Sequence, residues 1–209
     1  VPYKVFTTEE VLASADVNSY LMRQSVITCT SGTHPASPSE GMTIYETDTD
    51  RYLGFDGSTW REFALLNPPA CNVARSTDQT ISSAVQTTVT FDTEKYDLRN
   101  MWNAGSPTRL TVPSGMGGVY VIGGVIEYTA NAVGARQCIL MVNGAIVGRT
   151  STDNPGSGPA GRVSFVRDIA LAASDYVEMA GYQNSGTTLS MVATQRQPEL
   201  WARRVGPSS

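Results

Sequence analysis

The stretch VYVIGGVIEY, Val119 to Tyr128, is apolar on both of its sides. Successive side chains of a strand point to opposite faces, so Val119, Val121 and Val125 share one face and Tyr120, Ile122 and Ile126 the other. An antiparallel strand ordinarily keeps one wet face. Two readings fit: a central strand capped by a loop, or a strand whose second face packs against another subunit. We take the second. Gly123-Gly124 would allow backbone or aromatic rings to approach closely there.

Working outward, strands are expected at 85–91, 109–112, 119–128, 137–142, 145–150, 163–172, 176–183, 188–194 and 200–205. Asn143-Gly144, between two apolar runs, is a strong hairpin signal because both residues tolerate the positive φ of a type I′ turn. Short strands at this spacing, in a chain with 19 Gly and 11 Pro, imply an antiparallel sandwich or jelly roll.

The N-terminal third follows another pattern. Thr7-Thr8-Glu9-Glu10 fits a capping box, and Val11, Leu12, Ala15, Leu21 and Met22 recur at helical spacing to about Val26. Ser14 offers a second cap, so one helix and two both fit. Residues 29–40, with Pro35 and Pro38, read as an extended connector. GMTIYETDTDRYLGFDGSTW, Gly41 to Trp60, then alternates polar and apolar residues around a Thr47–Asp50 turn and a two-residue Asp56-Gly57 loop. Its rings, Tyr45, Tyr52, Phe55 and Trp60, need a cover from neighbours or from other copies. The Pro68-Pro69 pair and the lost alternation mark a linker over 67–77, dividing a 1–66 module from a 78–209 jelly roll. The expected class is therefore mainly β, a helix and hairpin module followed by a jelly roll.

Composition excludes several functions. A net charge of −4 with 16% charged residues argues against nucleic acid, which needs a basic patch. Arg203-Arg204, the only basic doublet, reads as a solvated strand end. No apolar run reaches the roughly 18 residues needed to span a bilayer, and the N-terminus lacks a signal pattern. We expect a soluble protein made in the cytoplasm, with no membrane insertion.

No catalytic, cofactor or metal site is expected. The three cysteines, Cys29, Cys71 and Cys138, are widely spaced without a CxxC pair and read as reduced and structural. His34 is the sole histidine and has no Ser or Cys elbow nearby. Asp48, Asp50 and Asp56 fail the calcium-loop rule, since Leu53 stands where the turn glycine belongs and the closing Glu is missing. Gly115 to Gly118 lacks the third glycine and the following helix of a dinucleotide loop, and 144–150 lacks the P-loop lysine. Glu127 and Asp168 read as ladder or rim charges rather than a glycosidase pair.

In order along the chain stand Val89-Thr90-Phe91, Tyr96-Asp97, Leu110-Thr111-Val112-Pro113, Gly118-Val119-Tyr120, Leu140-Met141-Val142-Asn143-Gly144 and Leu171-Ala172-Ala173-Ser174-Asp175-Tyr176-Val177. This resembles the globular-head domain of complement and its tumour-necrosis-factor-like relatives over about 85–205. Ser174 departs from the family's Gly before Asp, Val121 from a second aromatic, and ELWARRV from a Phe-rich closing strand. The resemblance implies a ten-stranded jelly roll in a three-fold homotrimer, with the contact near Tyr120, Ile122, Val125, Ile126 and Tyr128.

FTTEEVLASADVNSYLMRQSV followed by the Gly41–Trp60 motif resembles the opening module of minor tail and fibre-type virion proteins of phages infecting actinobacteria. That resemblance implies a structural virion protein that partners itself and other virion proteins. Val11, Leu12, Leu21, Met22, Tyr45, Tyr52, Phe55 and Trp60 would form its attachment surface. The polar loops 131–136 and 151–162, with Asn131, Arg136, Asp153, Asn154 and Arg162, are then candidates for binding a host-envelope glycan. A trimeric capsid decoration or head-fibre protein is the first alternative, and a free lectin or carbohydrate-active domain the second.

Overall fold

The structure is a computed structural model and describes Val11, residues 13–16, 25–153, 161–194 and 197–208. The chain divides into two compact units, Val1–Asn67 and Pro68–Ser209.

In the first unit one helical turn, Ser14–Asp16, precedes a four-stranded sheet of β1 (Ile27–Cys29), β2 (Thr43–Glu46), β3 (Arg51–Phe55) and β4 (Trp60–Leu65) in that order. The capping box and its expected helix start lie outside the described residues. β1, within what reads as connector and helix end, pairs parallel to β2, whereas β2–β3 and β3–β4 are antiparallel. The second hairpin closes with Phe55 opposite Trp60, so its loop has four residues rather than the two expected. Asp56 sets that length: its carboxylate accepts from the amides of Ser58 at 2.9 Å and Thr59 at 2.7 Å and from Arg61 at 2.8 Å. Those bonds, Arg61 first, hold its pKa well below the usual carboxylate range.

The second unit is a two-layer sandwich. Its strands are β5 (Ala70–Ala74), β6 (Gln79–Ile81), β7 (Thr87–Thr88), β8 (Thr93–Asp97), β9 (Arg109–Thr111), β10 (Gly118–Glu127), β11 (Ala135–Val142), β12 (Ala145–Asp153), β13 (Arg162–Leu171), β14 (Tyr176–Gln183), β15 (Leu189–Met191) and β16 (Glu199–Gly206). One sheet runs β13-β10-β16-β5-β8; the other runs β12-β11-β14-β7, with β9 also on β14, and β15 pairs β6. Asn143 (φ 51°) and Gly144 (φ 78°) form the expected two-residue turn between Val142 and Ala145. Ser174 lies at φ 72°, so the family's glycine preference has its reason here: the position is left-handed.

β10 is a central strand, and it explains its own two-sided sequence. Tyr120, Ile122, Ile126 and Tyr128 are fully buried in the core of the same chain. A Cβ at Gly124 would lie 2.6 Å from Met179 Sδ and 2.7 Å from Phe165 Cζ, so only glycine admits that packing. On the other side, the indole of Trp201 occupies the space a Cβ of Gly123 would need. The Tyr128 hydroxyl donates to the carbonyl of Gln137 at 2.6 Å and accepts from the amide of Tyr182 at 3.1 Å. Gln137 and Tyr182 are register partners on the facing sheet, so this one side chain ties the two layers together. Burial raises its pKa, and raises that of Tyr120 to about 12.

Three expectations are corrected by this architecture. The supposed linker 67–77 contains β5, which pairs with both β16 and β8. Its alternation is missing because Ala70, Cys71, Val73 and Ala74 are all buried, and its prolines stand just before the strand, where no ladder donor is needed. Within 85–91 only Thr87–Thr88 forms a strand, and the highly polar Thr93–Asp97, which is not among the expected strands, is the edge strand of its sheet. Arg204 is no solvated strand end: it is buried, its Nε donating to the Gly117 carbonyl at 2.9 Å.

Candidate functional site

The strand registers bring the loop candidates to one end of the sandwich. Glu127 faces Arg162, Ala135 faces Asp153, and Arg136 faces both Thr152 and Gln183, so the ends of β10, β12 and β14 lie at one end of the sandwich. Asn131, Arg136, Asp153 and Arg162 thus share an end; Asn154 lies outside the described residues.

Their roles differ, however. Arg162 is exposed at the start of β13. Arg136 is fully buried: its guanidinium donates to the carbonyls of Val133, Ala135 and Asn131, each at 3.0 Å. Burial pulls its pKa below the usual guanidinium value. It is corrected here from a receptor contact to the post on which loop 131–135 is built. Asn131 in turn accepts from the Val133 amide at 2.8 Å, an Asx turn that shapes the loop tip and leaves Val133 exposed.

A second buried group that sequence reading misses, Gln183, donates to the carbonyls of Ile81 (3.2 Å) and Thr187 (2.7 Å) and accepts from the Ser185 amide at 2.7 Å. The Gly186 amide donates to Ser83 Oγ at 2.9 Å. Loops 82–86 and 184–188 are therefore fastened to each other across a sequence separation near one hundred residues, and no local pattern signals that. The result is a loop end whose backbone is held from beneath by the buried side chains of Arg136 and Gln183. Among the described residues no group of three or more His, Cys, Asp or Glu could hold a metal ion. The buried thiols of Cys71 and Cys138 are free, and burial raises the pKa of both, aided for Cys71 by Asp97.

The expected subunit contact needs a larger correction. Because Tyr120, Ile122, Ile126 and Tyr128 are covered by their own chain, they have no surface to offer a second copy. Of the five residues only Val125 has the parity of the outer face, and it too is buried. What the outer face of β13-β10-β16-β5-β8 does expose is Val166 (55%), Val205 (51%) and Tyr96 (45%), around partly covered Val121 and Trp201.

In the first unit the four expected rings divide between two faces. Phe55 and Trp60 pack together at 5.2 Å on the side of Ile44 and Leu53, with His34 edge-on to Trp60 at 5.4 Å. His34 Nε2 lies 2.6 Å from buried Glu46, which also accepts from the Thr49 hydroxyl, so the sole histidine fastens the connector to the sheet. Tyr45 and Tyr52 lie on the opposite face, 4.9 Å apart, and Tyr52 continues to Phe63 at 6.1 Å. Phe63, absent from the sequence candidates, is 63% exposed. It is the extra residue of a bulge, since Tyr52 pairs with Ala64 and Leu53 with Glu62. Val11 is exposed; Leu12, Leu21 and Met22 lie outside the described residues.

The second unit is a jelly roll, and its structural neighbours are domains of the tumour-necrosis-factor-like and complement globular-head type. The crystal structure of murine APRIL at pH 5.0 superposes with a TM-score of 0.50 at 11% identity, covering 66% of this chain and 99% of that one. The globular domain of the zebrafish complement 1qA protein gives 0.45 at 14% identity, covering 67% and 99%. At these identities the likeness is one of fold alone. No protein-family model and no curated protein matches the chain by sequence.

Proposed function

We propose that this protein is a non-enzymatic homotrimer that serves as a structural component of a phage virion, of the tail-associated or fibre kind. The first unit attaches it to other virion proteins, and the loop end of the jelly roll meets a host-envelope glycan. The observation that carries the self-association is the exposure of Val166, Val205 and Tyr96 on one sheet face, beside partly covered Val121 and Trp201. Exposed apolar side chains gathered on one sheet face favour an interaction site, and the sequence resemblance to trimeric jelly rolls supports three copies. The virion role rests on the resemblance of the N-terminal third. Glycan binding rests on the rigid polar loop end, since three weak sites presented together gain avidity without any new contact.

Light scattering on the intact chain at micromolar concentration should give a trimer, and Val166→Asp should give a folded monomer with an unchanged circular dichroism spectrum. A monomeric wild type would sink the assembly. Excess protein should slow adsorption of the parent phage. If it does not, and electron microscopy finds the protein on the capsid lattice, decoration replaces receptor binding.

A further inference from the structure

The outer face of the sheet β13-β10-β16-β5-β8 is laid out in rungs, because residues opposite one another on paired strands point to the same side. β10 supplies the middle of each rung. Val121 stands between Asp168 on β13 and Arg203 on β16. Gly123 stands between Val166 and Trp201, whose indole fills the space above the glycine, and the same rung runs on through Asn72 to Tyr96. Further along, Arg162 on β13 lies opposite Glu127, and Glu199 on β16 lies opposite Val125. Read along its length, β13 therefore presents an acid, an aliphatic residue and a base, whereas β16 presents a base, an aromatic residue and an acid. The two sides of one face are complementary at every level. Asp168, Arg203 and Arg162 are exposed and Glu199 is half-buried, and Asp168 and Arg203 stand on strands two spacings, or about 10 Å, apart.

A three-fold ring is built from head-to-tail contacts, each joining two different patches of the chain. Rotation about an axis parallel to the strands keeps every rung at its own height and brings the β13 side of one copy against the β16 side of the next. We infer that Asp168 of each copy pairs with Arg203 of its neighbour, that Val166 packs on the neighbour's Trp201 and Tyr96, and that Arg162 reaches the neighbour's Glu199. This rests on the self-association proposed above and gives it a register. Sliding one copy along the strands by a rung would set charge against apolar surface. Turning it end for end would set Asp168 against Glu199 and Arg162 against Arg203. The apolar rung supplies the contact, and the charges fix its register and direction.

The test is charge reversal in the full chain, read by light scattering over a dilution series, with circular dichroism to confirm the fold. Asp168→Arg and Arg203→Asp, each alone, set like charges against each other, and each should raise the concentration at which the trimer comes apart by about tenfold or more. The double variant restores an opposite pair and should return that concentration to within about threefold of the wild type. Asp168→Asn, a milder change at the same exposed position, should weaken the trimer in the same direction as Asp168→Arg. If either single reversal leaves the trimer as tight as the wild type, or if the double variant does not recover, Asp168 and Arg203 do not meet: the pairing is overturned while self-association stands. A monomeric wild type overturns both.

Discussion

The two units solve the same problem with different numbers of layers. The jelly roll has two sheets, so each buries one face against the other, and Tyr120, Ile122, Leu140, Met179 and Leu200 are wholly inaccessible. The N-terminal unit has one described sheet, and its covered face is closed by a connector rather than by a second layer. That cover is polar: buried Glu46 holds His34 and Thr49, and Arg51 lies 3.4 Å from Glu62. The other face carries Tyr45, Tyr52 and Phe63, of which Phe63 is exposed. A second layer lets each sheet cover the other, whereas the one sheet described in the first unit keeps Phe63 at its surface. The contrast also shows why an apolar pattern cannot by itself name a subunit contact: β10 looks two-sided because it is central, whereas the faces left open are found elsewhere.

The largest effect should come from the side chain joining the two layers. Tyr128→Ala removes a buried ring and strands the Gln137 carbonyl and Tyr182 amide, and should cost about 3–5 kcal/mol. The loss is read as a lower urea midpoint with faster amide exchange in β10, β11 and β14. A cost below about 1 kcal/mol would show that the tie is dispensable.

Glu46→Ala tests the polar cover of the single layer. Leaving His34 and Thr49 without their acceptor should cost about 1–3 kcal/mol, with amide exchange accelerated in residues 29–55 and unchanged in β10 to β14. Equal acceleration in both units would deny that they are separately held.

Acid should act on the turns. Asp48 is lowered chiefly by bonds from Ser31, and Asp56 chiefly by Arg61 and the amides after it. A lowered folded-state pKa contributes stability that is present above the unfolded value, near 3.9, and is lost as pH falls further. The urea midpoint should therefore be insensitive to these groups at neutral pH and fall below about pH 4, with a shallower fall in Asp56→Asn.

The smallest effect is a gain. Ser174→Gly relieves a left-handed backbone at φ 72°, worth up to about 1 kcal/mol against the added freedom of the unfolded chain. A slightly higher melting temperature is expected; a clear loss would mean that the serine side chain contributes something the backbone does not reveal.

Much of the jelly roll was legible because its signals are local. The Asn143-Gly144 turn follows from two residues that accept positive φ, and 176–183 is both expected and found as a strand. The errors also have local causes. A proline pair and a run without alternation imitate a linker at 67–77, although they describe a strand buried on both faces. The polar run around Glu94 and Lys95 carries no alternation that marks a strand, although it forms a sheet edge. Phe63 was invisible as a surface ring because a bulge breaks the period-two rule at that residue.

By itself, then, the sequence determined a mainly β chain with a change of pattern near its first third, many of its strands and its tightest turn, since alternation, turn chemistry and composition act over a few residues. Only the tertiary structure decided which face of β10 is core, that Arg136 supports its loop from beneath, and that β10, β12 and β14 end together. These depend on register between strands and on contacts such as Gln183 to Ile81, 102 positions apart, where partners are chosen by the packing of whole sheets rather than by neighbours in the chain.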